Sequence, residues 1–385
     1  MGDIEELVAS RGSTALAEDS RGGDRLSRAI ERIPAKYDFE IRKTLWAIEK
    51  HRAGVVGLQF PEGLLHFSVL IAAILEEFSP QRIATVILGD VSYGACCVED
   101  YGSSQIGCDL LVHYGHSCLI PAPASQTRTL YVFVKIAVDT SDTLVRFISE
   151  NFTKEHVLCI VTTVQFVDAV HSLRTCLQQN GYTVVVPQTK PLSRGEILGC
   201  TSPTVDSIDA AIYFGDGDFH LEAFIMSNPQ KAVYAYSPYT DTVTKGSYDV
   251  ARIHRERRGD IAEIKNAKTV GVVVSMLGRQ GNMALLGRVK AALVDAGLTP
   301  IVVLIPQVDP SKLARIRSVD CWVVIVCPRL VLDWRRHFEK PMLTPYELFV
   351  ALGRTEWREI YPLEYYAADS GEWNPGNPKN IGRLR

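Results

Sequence analysis

Three short runs limit the architecture this chain can adopt. Asp109-Leu110-Leu111-Val112, Asp209-Ala210-Ala211-Ile212 and Asp320-Cys321-Trp322-Val323 each place an aspartate at the start of an apolar run. They stand 100 and 111 residues apart, about the length of one small α/β unit. Short apolar runs bounded by Gly, Pro and Asp read as buried strands. The first such set predicts a helix near residues 37–50, a strand at 55–60, a helix at 64–78 and strands at 83–88 and 109–114. The second gives a strand at 157–162, a helix at 168–180 stopped by Gly181, and strands at 183–186 and 209–215. In the third, a strand at 269–275 precedes a helix at 284–296 ended by Gly297, then strands at 300–305 and 321–326. Strand and helix alternate in each, which argues for mainly parallel sheets. The expectation is an α/β fold of three homologous domains, residues 31–140, 141–250 and 251–366, each a mainly parallel sheet flanked by helices. Residues 1–30 and 367–385 lack periodicity and read as disordered tails. One large doubly wound sheet is the competing architecture.

Composition narrows the partners. The net charge is −3, with 46% apolar and 22% charged residues, which gives no support to a nucleic-acid or membrane surface. No run reaches the ~18 consecutive apolar residues of a membrane span. The start MGDIEELVASRGST has no basic-then-apolar secretory pattern, and Glu6 stands where a myristoylation signal needs Ser or Thr. A cytoplasmic, reducing setting is therefore expected. There, nine cysteines point to metal binding, catalysis or burial rather than disulfides.

The cysteines sort by position along the expected elements. Cys159 and Cys176 fall inside a strand and a helix and read as core. Cys108 and Cys321 stand at amino ends of strands. Cys321 and Cys327 are six residues apart on one strand, about 20 Å at 3.3 Å per residue, so they do not share a site. Cys96, Cys97, Cys118, Cys200 and Cys327 remain, at carboxyl ends of strands or in the loops that follow, where open α/β sheets bind ligands. Residues 89–121, GDVSYGACCVEDYGSSQIGCDLLVHYGHSCLIP, hold three of the five, together with His113 and His116. Each repeat thus has at least one candidate thiolate. Thiolates select zinc, copper(I) or iron–sulfur clusters. The local C-x₂₋₄-C pairs of zinc ribbons are missing, and adjacent Cys96 and Cys97 diverge, so a cluster seated between domains is favoured. Three protein thiolates would leave one iron open for substrate.

These same residues resemble a known family. GDVSYGACCVED and LLVHYGHSCLIP are similar to the diphthamide synthases, the 2-(3-amino-3-carboxypropyl)histidine synthases, in their eukaryotic subunit 1 form. The likeness continues through IPAKYDFEIRKTLWAI, LQFPEGLL, LYVFVKI, RGEILGCTSP, YFGDGDFHLEA, LGRQGN, CPRLVLDW, KPMLTPYEL and YPLEYYA, over about residues 33–367. The resemblance implies three homologous α/β domains arranged around a central [4Fe-4S] cluster, with Cys96, Cys200 and Cys327 as its ligands. It implies a radical transfer of the 3-amino-3-carboxypropyl group of S-adenosylmethionine to C2 of a histidine on translation elongation factor 2. A homologous second subunit, forming a heterodimer, and a small iron-binding electron donor are the implied partners. The pattern departs from the family at Asp218, after GDG, and at Arg335-Arg336, after DW.

Further residues are candidates for S-adenosylmethionine. Gly215 would let backbone approach a ligand, and Asp216 would accept from an amino or ribose group, with His220 following. Arg279 suits a carboxylate, with Gln280 beside it. Pro61-Glu62-Gly63 reads as a further site-lining loop. No dinucleotide fingerprint, P-loop or G-x-S-x-G elbow is complete. Two alternatives stay open: a non-catalytic homologous subunit, against which Cys200 speaks, and a zinc-stabilised α/β binding protein.

Overall fold

A computed structural model of the chain describes residues 20–90, 94–120, 125–139, 141–367 and 370–380. The chain divides into two compact units. One contains the residues up to Asp139 together with Val164–Ala169; the other is Thr140–Thr163 and Val170–Arg385.

In the first unit, helices α1 (Ser20–Ile30), α2 (Ile41–His51), α3 (Ser68–Phe78) and α4 (Asp100–Gln105) accompany strands β1 (Val55–Gln59), β2 (Ala84–Leu88), β3 (Leu110–Tyr114) and β4 (Thr129–Val132). The sheet order is β2-β1-β3-β4, parallel throughout. A short antiparallel ribbon pairs Tyr37 and Asp38 with Ile136 and Lys135. Ile41, Thr44, Leu45 and Ile48 are buried on α2, a helical spacing that turns one face to the core. Residues 164–169 belong to this unit: Lys135 pairs with Asp168 at 2.8 Å, and Gln165 Nε2 donates to Gly115 O at 2.7 Å.

The second unit holds two sheets. Helices α5 (Asp142–Asn151), α6 (Val167–Gln179, from Val170 on in this unit), α7 (Asp218–Ser227) and α8 (Val250–Glu263) go with β5 (Val157–Thr162), β6 (Thr183–Val185), β7 (Ala210–Phe214), β8 (Ala232–Ser237) and β9 (Thr242–Lys245). Helices α9 (Met283–Asp295), α10 (Pro310–Ala314), α11 (Pro328–Trp334) and α12 (Pro345–Ala351) go with β10 (Thr269–Ser275), β11 (Thr299–Ile305), β12 (Cys321–Ile325) and β13 (Met342–Leu343). The orders are β6-β5-β7-β8-β9 and β11-β10-β12-β13. Only the β8–β9 pairing is antiparallel in these two sheets.

All three larger sheets therefore run second strand, first, third, fourth, which excludes one continuous doubly wound sheet. The repeated aspartates explain part of this. Asp109 Oδ2 accepts from the backbone N–H groups of Gly54 (2.8 Å) and Val55 (2.9 Å). Asp209 Oδ2 accepts from Val157 N–H at 2.7 Å. Asp320 Oδ2 accepts from Lys268 and Thr269, both at 2.8 Å. Each also donates its own N–H to the first strand, at Val55, Val157 and Thr269. Each carboxylate thus satisfies donors at the open end of a first strand and sets the register of the third. Every residue of β3, β7 and β12 is buried, as parallel strands covered on both faces require.

The tails differ from expectation. Residues 1–19 lie outside the described residues, but Ser20–Ile30 is a helix, with Ala29 in the core and Arg25 paired to Glu77 at 2.9 Å. Residues 368–369 and 381–385 also lie outside, yet Trp373 is 6% exposed and joins the core beneath β10 and β12. Asn374 and Asn380 side chains cap backbone carbonyls at Glu364, Glu372 and Asn374. One large side chain and hydrogen-bonded turns hold this segment, and neither produces periodicity.

Candidate metal centre

In the second unit, two thiols are presented by short, constrained turns. Cys200 sits in Leu198–Thr201, where Leu198 and Thr201 exchange backbone hydrogen bonds at 2.8 and 3.2 Å. Gly199 packs against Phe219 there: a Cβ would lie 1.9 Å from Phe219 Cε1, so the ring would have to move. Cys327 is the residue before α11, with Pro328 opening the helix, and its N–H donates to Gln280 Oε1 at 3.3 Å. Burial pushes the Cys200 thiol up to about 11. Burial, then the charge of Cys200, pushes Cys327 up to about 12. The two therefore sense each other, and both are protonated at neutral pH until a cation displaces the protons.

Arg329 opposes that rise at both thiols, and the sequence reading missed it. It is 1% exposed. Its Nε donates to both oxygens of Asp333 at 3.1 Å, Nη1 to Phe219 O at 2.7 Å and Nη2 to Glu222 at 2.5 Å. Its guanidinium lies 4.5 Å from the Phe219 ring centroid. Gly199, Phe219 and Arg329 thus form a stack that links the Cys200 turn to α11, the helix that follows Cys327. An arginine inside CPRLVLDW reads as surface; its i,i+4 partner Asp333 was the available signal.

The other candidates fall around this pair in part. Gln280 is buried and touches the Cys327 turn, and its carbonyl accepts from Tyr365 Oη at 2.9 Å. Arg279 is half-buried, its carbonyl accepting from Tyr366 Oη at 3.3 Å. Gly215 follows β7 and is buried; a Cβ there would lie 2.7 Å from Tyr213 Oη. Asp216 is exposed, its carbonyl accepting from Tyr213 Oη at 3.1 Å. His220, half-buried, sits in the first turn of α7 with its ring 5.4 Å from that of Phe219. Asp218 opens α7. Arg335 binds Asp260 and Arg336 binds Glu256, so both departures after DW pair with α8.

In the first unit, Cys96 and Cys97 are 9% and 3% exposed, with sulfurs 3.9 Å apart. Gln59, the last residue of β1, holds their loop: its Nε2 donates to Cys97 O at 2.7 Å and its Oε1 accepts from Glu99 N–H at 3.2 Å. His113 Nδ1 lies 2.7 Å from the same Oε1. Burial lowers His113 well below the usual imidazole range and His116 to about 4, so both rings are neutral. Cys118 Sγ contacts Ile120 O at 3.4 Å. The Pro61-Glu62-Gly63 loop enters a 3₁₀ turn, Glu62–Phe67.

Among the described residues, no three His, Cys, Asp or Glu side chains are gathered in ligating geometry. The structure brings together Cys200 and Cys327, while Cys96 belongs to the first unit. Cys200, buried, and Cys327, half-buried, sense each other and form a soft donor pair. They fit a thiolate-held metal or iron–sulfur group and not a hard cation.

Comparison with known proteins agrees with these features. The family described as "Putative diphthamide synthesis protein" matches residues 60–362. The 2-(3-amino-3-carboxypropyl)histidine synthase subunit 1 of Nematostella vectensis is 46% identical over 352 residues, 91% of this chain and 75% of that protein. Its Schizosaccharomyces pombe counterpart is 40% identical over 381 residues, 97% of this chain and 87% of that protein. Among solved structures, the crystal structure of Dph2 from Pyrococcus horikoshii with a 4Fe-4S cluster superposes with a TM-score of 0.69 at 28% identity. It covers 85% of this chain and 94% of that one. On a match spanning most of its length, this chain belongs to the diphthamide synthesis protein family.

Proposed function

We propose that the chain catalyses the first step of diphthamide biosynthesis, transferring the 3-amino-3-carboxypropyl group of S-adenosylmethionine to C2 of a histidine on translation elongation factor 2. Three repeat domains, residues 31–140, 141–250 and 251–366, each give one thiolate, Cys96, Cys200 and Cys327, to one [4Fe-4S] cluster. The observation that carries this reading is the Cys200–Cys327 pair beside Arg329, in a chain whose relatives are named subunit 1 of the histidine synthase. The chain acts in the cytoplasm with a homologous second subunit, and a small iron-binding protein delivers electrons.

When bound, the cluster supplies the electron that breaks the sulfonium–Cγ bond and frees the 3-amino-3-carboxypropyl radical. The protein's share is placement and exclusion. Burial of Cys200 would help keep water from a reactive carbon radical. Gln280 fixes the backbone of Cys327 through the 3.3 Å bond to its N–H. Arg279 pairs with the methionine carboxylate, Asp216 accepts from the amino or ribose group, Gly215 leaves room for the ligand, and His220 borders it.

Anaerobic purification with iron, sulfide and zinc quantitation tests the reading. About one four-iron cluster per chain is expected, with loss of elongation-factor modification in Cys200→Ser when reductant and second subunit are supplied. Stoichiometric zinc without iron would instead make the chain a binding protein. Undiminished turnover in Cys200→Ser would remove that residue from the ligand set.

A further inference from the structure

We infer that His113 and Gln59 form the strut that positions the Cys96–Cys97 loop, with His113 acting through a protonated Nδ1 and not as a base or ligand through Nε2. The inference rests on the proposed function only in giving Cys96 a ligand role; the strut itself stands on hydrogen-bond logic in the first unit.

Gln59 and His113 are direct partners in the parallel pairing of β1 with β3, so their side chains share one face of the sheet. Gln59 is 3% exposed and His113 fully buried. Two backbone groups remove the usual ambiguity about which amide atom is which. The Cys97 carbonyl accepts only, so the atom 2.7 Å away is the amide nitrogen. The Glu99 N–H donates only, so the atom 3.2 Å away is the amide oxygen. That oxygen also lies 2.7 Å from His113 Nδ1, and two acceptors cannot share a hydrogen bond. Nδ1 therefore carries the proton. Burial keeps the ring neutral, which leaves Nε2 bare, and among the described residues that buried atom has no hydrogen-bond partner.

The consequence is directional. His113 fixes the Gln59 amide, and Gln59 fixes the loop on both sides of Val98. Within the same loop Cys97 N–H also donates to Gly94 O, so Cys97, the residue after Cys96, is bonded through its N–H to the loop and through its carbonyl to Gln59. His113 is thus a positioning residue, and the atom that matters is Nδ1.

Two measurements test this on the full-length, metal-free chain. Nitrogen-15 NMR of labelled histidine, with the His113 signals identified by their loss in His113→Asn, should show a protonated Nδ1 and a bare Nε2. A ring protonated at Nε2 alone would overturn the inference. Separately, alkylation of Cys96 and Cys97 by iodoacetamide is followed by peptide mass spectrometry. His113→Asn keeps an N–H donor where Nδ1 was and has nothing at Nε2, so its rate should stay within about two-fold of the parent. His113→Phe and Gln59→Met should speed alkylation about tenfold, the effect of one lost hydrogen bond on loop opening. His113→Asn behaving like His113→Phe would assign the function to Nε2 and sink the strut, as would parental rates in all three variants. Iron content read in parallel separates the two ideas. If Cys96→Ser binds iron normally while the alkylation pattern holds, the ligand reading fails and the strut stands.

Discussion

Replacing Arg329 with methionine should destabilise the second unit in a manner that depends on pH. The guanidinium makes four donor contacts of 3.1 Å or less, to Asp333, Phe219 and Glu222. Methionine keeps much of the length and apolar contact, so the change isolates charge and hydrogen bonding. Breaking a buried ion pair costs about 3–5 kcal/mol. Glu222 and Asp333 side chains are 26% and 25% exposed, so water reaches them, and about 2–3 kcal/mol is the expected loss at pH 8. Burial already raises both carboxyls above their usual range, and Arg329 is the largest opposing influence. Without it they rise further. A carboxyl whose folded pKa lies above its unfolded one stabilises below the unfolded value, and that contribution is lost as pH rises through the folded value. The deficit of Arg329→Met should therefore shrink from pH 8 to pH 5. Urea midpoints at the two pH values, with Arg329→Lys as a variant that keeps the charge without the fork, provide the measurement. An equal deficit at both pH values, or none, would refute the account of Arg329 as counter-ion to these two carboxylates.

Gly199→Ala should displace the Phe219 ring and with it the Cys200 turn, lowering stability by about 1–3 kcal/mol and reducing iron uptake; thermal melts and metal analysis check it. In the metal-free chain Cys200, raised to about 11, should react with iodoacetamide at pH 8 roughly 100-fold more slowly than an unperturbed thiol, and Cys327 more slowly still. Asp320→Asn should lower the urea midpoint at pH 7. The two backbone N–H bonds hold the Asp320 carboxyl below its usual range, so its contribution is present at neutral pH and lost as pH falls through the folded value; at pH 3 the parent and variant should approach each other.

The three aspartates were legible because they combine a strand start with a register device, and both recur at nearly constant spacing. Strands β1, β3, β5, β7, β10 and β12 were legible for a simpler reason: parallel strands buried on both faces appear as uninterrupted apolar runs. Helix α8, VARIHRERRGDIAE, was not. Its buried side includes Arg257 and Asp260, satisfied by Glu347 at 2.7 Å and by Arg335 at 2.5 Å. A face buried through ion pairs leaves no hydrophobic period to find. Gln59 and Arg329 were missed because most of their partners lie far off in sequence, Cys97 and Glu99 for Gln59 and Phe219 and Glu222 for Arg329; only Asp333, four residues from Arg329, was near enough to notice. Cys176 shows the converse error: its apolar neighbours suggested core, yet it is half-buried, with Sγ 3.8 Å from Asn180 Nδ2.

The threefold pattern of the sheets does not extend to the thiols proposed as ligands. Cys96 and Cys200 follow the second strands, β2 and β6, and precede the third. Cys327 follows a third strand, β12. The equivalent position in the third repeat, residues 306–309 after β11, contains no cysteine. Directly after the third strands of the first two repeats stand Gly115 and Gly215, where the third repeat has Val326, one residue before Cys327. Gly115 has φ +77, and a Cβ there would meet Pro61 at 2.8 Å; at Gly215 it would meet Tyr213 at 2.7 Å. Repetition of one α/β unit therefore accounts for the loops and for the sheet end they follow, but not for the positions of the proposed ligands. Two repeats place the thiol in one loop and a close-packed glycine in the other, while the third has Val326 at the glycine position and its thiol one residue further on. Exact threefold symmetry would make all three thiols equivalent. The observed placement makes one thiol structurally distinct, and its N–H is bound by Gln280, from the loop proposed to hold the methionine end of the substrate.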